Sequence, residues 1–360
     1  MALEVPYEVW QLISDYLMSD RLSQICQKLS PLGRRFVRFD FTSANAIQRL
    51  AAVSDTVRVL TASGTDMYQN GHWDHKDPAL EALQYSPFLH RLHLKFRDSL
   101  LSQHDGVKAL ASLHSLPSLQ TLILDLKSNE VGDRGAEAVS LLRYAQKLRT
   151  LTLCLSFQWL GERERISDRG ARALASLKDS PALASLTLDL SDNQVTERGA
   201  QALAELKDAP DLRSLSLSIG NNPIRAGGAR ALAGLKESVS LHTLSLDFSF
   251  NQVGPLGMQA LAALKEAAAL RTLTLNLMYN SAGDGGAQAL AELKESASLQ
   301  TLTLNLQYNS VGQAGAEALA ELKDAPALHS FVLNILHNPV GEAGARTLMS
   351  MRHAREWTCL

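Results

Sequence analysis

Leu183, Leu212, Leu241, Leu270 and Leu299 stand 29 residues apart. Each opens the same pattern, L-x-x-L-x-L-x-[LIF]-x-x-N-x-[VIA]-x-x-x-G-[AM]-x-A-L-x-x-L-K-[DE], and Leu328 opens a looser copy. A fixed period in the twenties leaves a chain few options. One unit cannot bury its own apolar side, so successive units must stack and share a continuous core. The pattern also opens at Leu89, Leu119 and Leu148, which makes nine copies spaced by 30, 29, 35 and then 29 residues. The 35 reflects six extra residues within SFQWLGERERIS.

Counted from each opening leucine, further leucines recur at +3, +5 and +7, as in Leu302, Leu304 and Leu306. A period of two sends them to one side of a strand. Neighbouring units then pair in parallel, and parallel pairing needs a long return connection. Glycine at +16 (Gly199, Gly228, Gly257, Gly286, Gly315), small residues behind it and leucines at +20 and +23 supply that return as a helix lying close to the sheet. Asparagine recurs at +10 as Asn129, Asn193, Asn222, Asn251, Asn280, Asn309 and Asn338. A buried amide column satisfies the backbone of the turn that leaves each strand. Lysine closes the helices at Lys207, Lys236, Lys265, Lys294 and Lys323, where free carbonyls favour a cation.

The pattern resembles leucine-rich repeats of the ribonuclease-inhibitor-like class, with asparagine two residues later than usual. The resemblance implies an α/β solenoid with a curved parallel sheet inside and helices outside, its strand extended by two residues. Residues 89–350 hold the nine repeats. Residues 36–88 read as degenerate opening repeats, with Val37, Phe39 and Phe41 alternating like a strand. The polar tail 351–360 reads as a C-terminal cap, Trp357 folding back over the last leucines.

Residues 1–35 form a small N-terminal helical segment in this reading. Val9, Trp10, Ile13, Tyr16 and Leu17 share one helical face. The run P-x-E-V-W-x-x-I-x-x-Y-L from Pro6 to Leu17 resembles the start of the F-box motif, although Leu29 stands where that family usually carries tryptophan. The resemblance implies that Trp10, Ile13, Tyr16 and Leu17 dock the adaptor subunit of a cullin-RING ubiquitin ligase while the arc holds a substrate. The alternative is a structural scaffold whose N-terminal helices only cap the open end of the core.

A net charge of −2 gives no field that gathers nucleic acid. No apolar run approaches the roughly 18 residues of a transmembrane helix, so membrane insertion is not expected. Three cysteines far apart fit a reducing, intracellular setting, cytoplasmic or nuclear. No phosphate loop or nucleophile elbow occurs, and His72, His75, His90 and His93 lack the cysteines of a zinc site. The expectation is a non-catalytic protein–protein interaction protein without cofactor or metal. Its candidate contacts are Asp125, Asp189, Asp247, Asn276 and Asn305 at +6 on the inner face. Phe250, Tyr279 and Tyr308 at +9 on the rim join them, with Trp159, Arg163 and Arg165 in the insertion. Exposed rim aromatics favour interface anchoring; the same rings can instead stack on one another and seal the core edge.

Overall fold

In the computed structural model the described residues are 36–40, 58–63, 86–97, 110, 112–129, 131–156, 165–350 and 356–359. Among the described residues one sheet of twelve parallel strands runs in chain order. These are β1 Phe36–Asp40, β2 Val59–Ser63, β3 Arg91–Lys95, β4 Thr121–Asp125, β5 Thr150–Cys154, β6 Ser185–Asp189, β7 Ser214–Ser218, β8 Thr243–Asp247, β9 Thr272–Asn276, β10 Thr301–Asn305, β11 Ser330–Asn334 and β12 Glu356–Cys359. The alternating leucines build the regular part of the sheet, from β3 to β11. Register places like on like: Leu273 faces Leu302, Leu275 faces Leu304, and Asn276 faces Asn305. Leu273 and Leu275 are fully buried, while Thr272, Thr274 and Asn276 between them are half-buried on the other face.

From β3 to β11 the strand covers +2 to +6 of each repeat. The ladder outlasts it. Leu277 N–H donates to Asn305 O at 2.8 Å and Tyr279 N–H to Gln307 O at 3.1 Å. The two residues added ahead of the asparagine thus carry inter-repeat pairing out to +9, at the rim. At the C-terminal end, Ser330 pairs with Glu356 and Phe331 with Trp357. Residues 356–359 therefore continue the sheet by one strand.

Helices return the chain on the buried side: α1 Gly132–Val139, α2 Asp168–Ala175, α3 Glu197–Leu203, α4 Arg225–Ala233, α5 Gly254–Ala262, α6 Gly283–Ala291, α7 Gln313–Ala320 and α8 Gly341–Ser350. From α1 to α7 each runs into a short 3-10 turn before the next strand. The +16 glycine, expected to lay the helix close to the sheet, is instead what lets one helix lie close against the preceding helix. A Cβ on Gly257 would lie 2.2 Å from Val253 Cγ1 and 3.2 Å from Ala229 Cβ of the preceding helix.

How a helix begins depends on the repeat before it. Asp168 Oδ1 accepts from the backbone of Thr196 at 2.7 Å and Gly199 at 2.9 Å. Asp133 does the same for Ser167 and Gly170, and Asp284 for Gly312 and Gly315. In those three helices the cap residue is extended and the helix N–H groups are satisfied by a neighbour's carboxylate. Where the preceding repeat offers Glu197, Ala226, Pro255 or Gln313 at that place, the next helix starts differently. Its first residue, Arg225, Gly254, Gly283 or Gly341 before the next strand, takes a left-handed φ between 54° and 65°. Arg225, Gly254 and Gly283 then donate to the carbonyls of Asn251, Asn280 and Asn309.

The lysines, expected to meet the carbonyls at their own helix ends, reach across to the next repeat. Lys178, Lys207, Lys236, Lys265 and Lys294 each pair with a glutamate of the next repeat: Glu205, Glu237, Glu266, Glu292 with Glu295, and Glu321. These pairs are largely solvated, so each adds little to stability, but together they balance charge along the helix side. Among the described residues no helix is long and apolar enough to cross a membrane.

Candidate protein-binding face and rim

The asparagine column builds the rim. Asn280 is fully buried. Its Nδ2 donates to Phe248 O at 2.8 Å and Met278 O at 3.0 Å. Its Oδ1 accepts from Asn251 N at 3.2 Å and Val253 N at 3.0 Å. The amide so locks a tight turn, and the residue just before it is forced into the left-handed region. Ser128, Asp192, Asn221, Phe250, Tyr279, Tyr308 and His337 all have φ between 52° and 59°.

Aspartate and asparagine tolerate that conformation, and bulky side chains do so poorly. Asp192 and Asn221 fit it and bond each other, Asn221 Nδ2 donating to Asp192 Oδ1 at 2.6 Å. The next four repeats carry aromatic rings instead. Phe250 stacks on Tyr279 at 4.5 Å between centroids, Tyr279 on Tyr308 at 4.3 Å, and Tyr308 on His337 at 4.3 Å, with interplanar angles of 20°, 7° and 9°. A left-handed non-glycine residue costs about 1–2 kcal/mol, and each stacked pair returns about 0.5–1.5 kcal/mol. Four such residues cost more than three stacked pairs return, so the column is not explained by stability. The rings remain 46%, 42% and 39% exposed at Phe250, Tyr279 and Tyr308. Desolvation, then the neighbouring Tyr308, holds the Tyr279 phenol above its usual range.

Beside the rings runs the +6 column. Asn305 Nδ2 donates to Asn276 Oδ1, and Asn276 Nδ2 to Asp247 Oδ2, both at 2.9 Å. Asp247 Oδ1 accepts from Ser249 N at 2.8 Å, and Asp189 Oδ1 from Ser191 N at 3.1 Å. Asp125 is different. It is buried, and Arg97 Nε lies 2.5 Å from its Oδ2. The carboxylate expected on the open face is therefore covered by a side chain of the preceding repeat.

Cys154 lies between Asp125 and Asp189 in register. Burial, then those two carboxylates, pushes its thiol up to about 11. At about pH 8 it holds on the order of a hundredfold less thiolate than an ordinary cysteine. Iodoacetamide should alkylate Cys154 slower by that factor than it alkylates glutathione, as followed by peptide mapping in the native protein. Equal rates would refute the half-buried placement between the two carboxylates.

The structure thus brings Phe250, Tyr279 and Tyr308 together with Asp247, Asn276 and Asn305 along one edge, and Asp189 two strands away. Arg165 is exposed at the bend that leads into α2. Trp159 and Arg163 lie outside the described residues, as do Trp10, Ile13, Tyr16 and Leu17. His337, at the same rim offset of +9 as the three rings, ends the stack. The expected contacts omitted Asp192 and Asn221, which precede it, and their shared offset of +9 is the signal that finds both. Among the described residues no three or more His, Cys, Asp and Glu side chains group so as to hold a metal ion.

A leucine-rich repeat family model matches residues 118–140, 183–204, 240–262, 269–291 and 298–320. No curated protein matches the chain. Among solved structures, one similar chain is an internalin from Listeria monocytogenes, 20% identical with a TM-score of 0.49, over 90% of this chain and 86% of that one. Another is actin-binding site 2 of leiomodin-1, 19% identical with a TM-score of 0.33, over 45% of this chain and 88% of that one. With the ladder, the asparagine column and the matched segments in place, the chain is built of leucine-rich repeats and folds as the solenoid they make.

Proposed function

We propose that the chain is a non-catalytic protein-binding scaffold whose partner lies on the inner sheet face and its strand-end rim. The exposed stack of Phe250, Tyr279, Tyr308 and His337 carries this reading. Neighbouring rings fix one another, so little side-chain freedom remains to be lost on binding, and large rigid rings serve well as anchors. Asp189, Asp247, Asn276 and Asn305 give the adjoining face its hydrogen-bonding groups. Trp159, Arg163 and Arg165 are a second contact region, because insertions in repeat arrays gather on one face. The three scattered cysteines suit a cytosolic or nuclear setting.

Within that role we assign residues 1–35 to docking the adaptor of a cullin-RING ubiquitin ligase, which makes the solenoid a substrate receptor. The run from Pro6 to Leu17 supports this. A plain structural scaffold is the second reading, favoured by the uniformity of the array: ALAELKDAP occurs identically at 202–210 and 318–326. Co-purification with the adaptor decides between them, using the full chain and a Trp10→Ala, Ile13→Ala variant, both shown folded by circular dichroism. The receptor reading expects the full chain to retain the adaptor and the variant to lose it. A folded full chain that does not bind ends that reading. A variant that loses cooperative unfolding assigns the helices to capping instead.

A further inference from the structure

The acids on the two sides of this sheet are treated differently. On the helix side, Glu205, Glu237, Glu266, Glu292, Glu295 and Glu321 all have lysine partners within the chain. On the strand-end rim, Asp189, Asp192 and Asp247 bond only backbone N–H groups or amides and meet no lysine or arginine among the described residues. From Leu183 to His337 no lysine or arginine occupies +6, +8 or +9. Among the described residues the rim therefore presents negative charge without an internal counter-charge, and directly beyond it four aromatic residues in consecutive repeats.

The stack also limits what can bind it. Both faces of Tyr279 and Tyr308 are covered by neighbouring rings. Only ring edges and phenol hydroxyls are open, so a sugar ring or a cation cannot lie flat on the middle of the column. Ring edges carry the positive side of the quadrupole and favour the face of another aromatic ring. We propose that this rim holds an extended protein segment with two parts: lysine or arginine side chains that pair with Asp189, Asp192 and Asp247, and aromatic side chains that pack face-on against the edges of Phe250, Tyr279 and Tyr308. This rests on the binding-scaffold reading above and names the chemistry of its partner. Five strand spacings separate Asp189 from His337, about 24 Å, which an extended segment of roughly seven residues spans.

The test is a random twelve-residue peptide library displayed on phage and selected on the full chain. Peptides that emerge are synthesised and titrated by fluorescence anisotropy. Two variants are compared with the parent: Phe250→Asn, Tyr279→Asn, Tyr308→Asn, which places a left-handed-tolerant residue at each site, and Asp189→Asn, Asp192→Asn, Asp247→Asn. Selected peptides should combine lysine or arginine with aromatic residues. Each variant should bind at least tenfold more weakly, and the carboxylate variant should also lose the salt dependence. Should the ring triple melt early, Tyr279→Asn alone is used, with the same direction expected. Peptides that bind both variants as tightly as the parent overturn this proposal and leave the scaffold reading intact. Acidic or non-aromatic peptides overturn it as well, and so does a selection that enriches none.

Discussion

Asn280→Ala should lower unfolding stability by about 3–5 kcal/mol in a guanidinium titration. The side chain satisfies Phe248 O, Met278 O, Asn251 N and Val253 N. Phe248 O, Asn251 N and Val253 N are backbone groups of the turn in the preceding repeat and Met278 O belongs to its own repeat, in a place without solvent access at Asn280 itself. A buried group left without a partner costs about 1–3 kcal/mol, and neighbouring losses do not simply add. Asn276→Ala is the control. It removes an amide of the same kind from the half-buried +6 column, where water can replace the bonds to Asp247 and Asn305. That change should cost under about 1 kcal/mol. Two variants of equal stability would show that the turn does not depend on the amide. The loss should also be local: repeats contact chiefly their neighbours, so the transition should broaden or split around the altered unit.

Phe248→Ala should cost a similar amount, about 3–5 kcal/mol. Phe248 is among the largest fully buried side chains and stands at +7, where other repeats carry Leu126, Leu190, Leu277 or Leu306. Alanine leaves a void between sheet and helix that this regular stack cannot collapse without disturbing both neighbours. Phe248→Leu restores what the other repeats use and should cost under about 1.5 kcal/mol. If alanine and leucine prove equally stable, the site is not tightly packed. Phe248 also accepts from Asn280 through its carbonyl, so a variant carrying both alanines should fall short of the summed losses.

These effects can be placed because much of the array is legible one repeat at a time. Leucines at +3, +5 and +7 announce the buried face by parity alone, and equal offsets in equal repeats must lie side by side. That is why Phe250, Tyr279 and Tyr308 could be read as a row. What escaped the sequence is decided between repeats. The start of α3 depends on Asp168, 28 residues before Thr196, and a glutamate at the same place, Glu197, gives the other start at Arg225. Asp125 looked open because its own strand puts it on the inner face, and Arg97 of the preceding repeat covers it. The lysines looked like helix caps because their glutamates lie about 30 residues away. The left-handed backbone under the rings was hidden because aromatic residues do not advertise it; only Asp192 and Asn221 in the same column hint at it.

The asparagine column also has a direction. Asn222 reaches back to Leu190 O, Asn251 to Ile219 O, Asn280 to Phe248 O, Asn309 to Leu277 O and Asn338 to Leu306 O. Each turn is therefore finished by a residue about 30 positions downstream of it. A ribosome makes the chain in the opposite order, so the newest coil on a nascent chain always has its final clasp still to be translated. Growth by whole 29-residue units moves that open coil along without changing its chemistry. An array of this kind can lengthen over evolutionary time by copying a unit, and the nascent chain still exposes only one unfinished coil at a time.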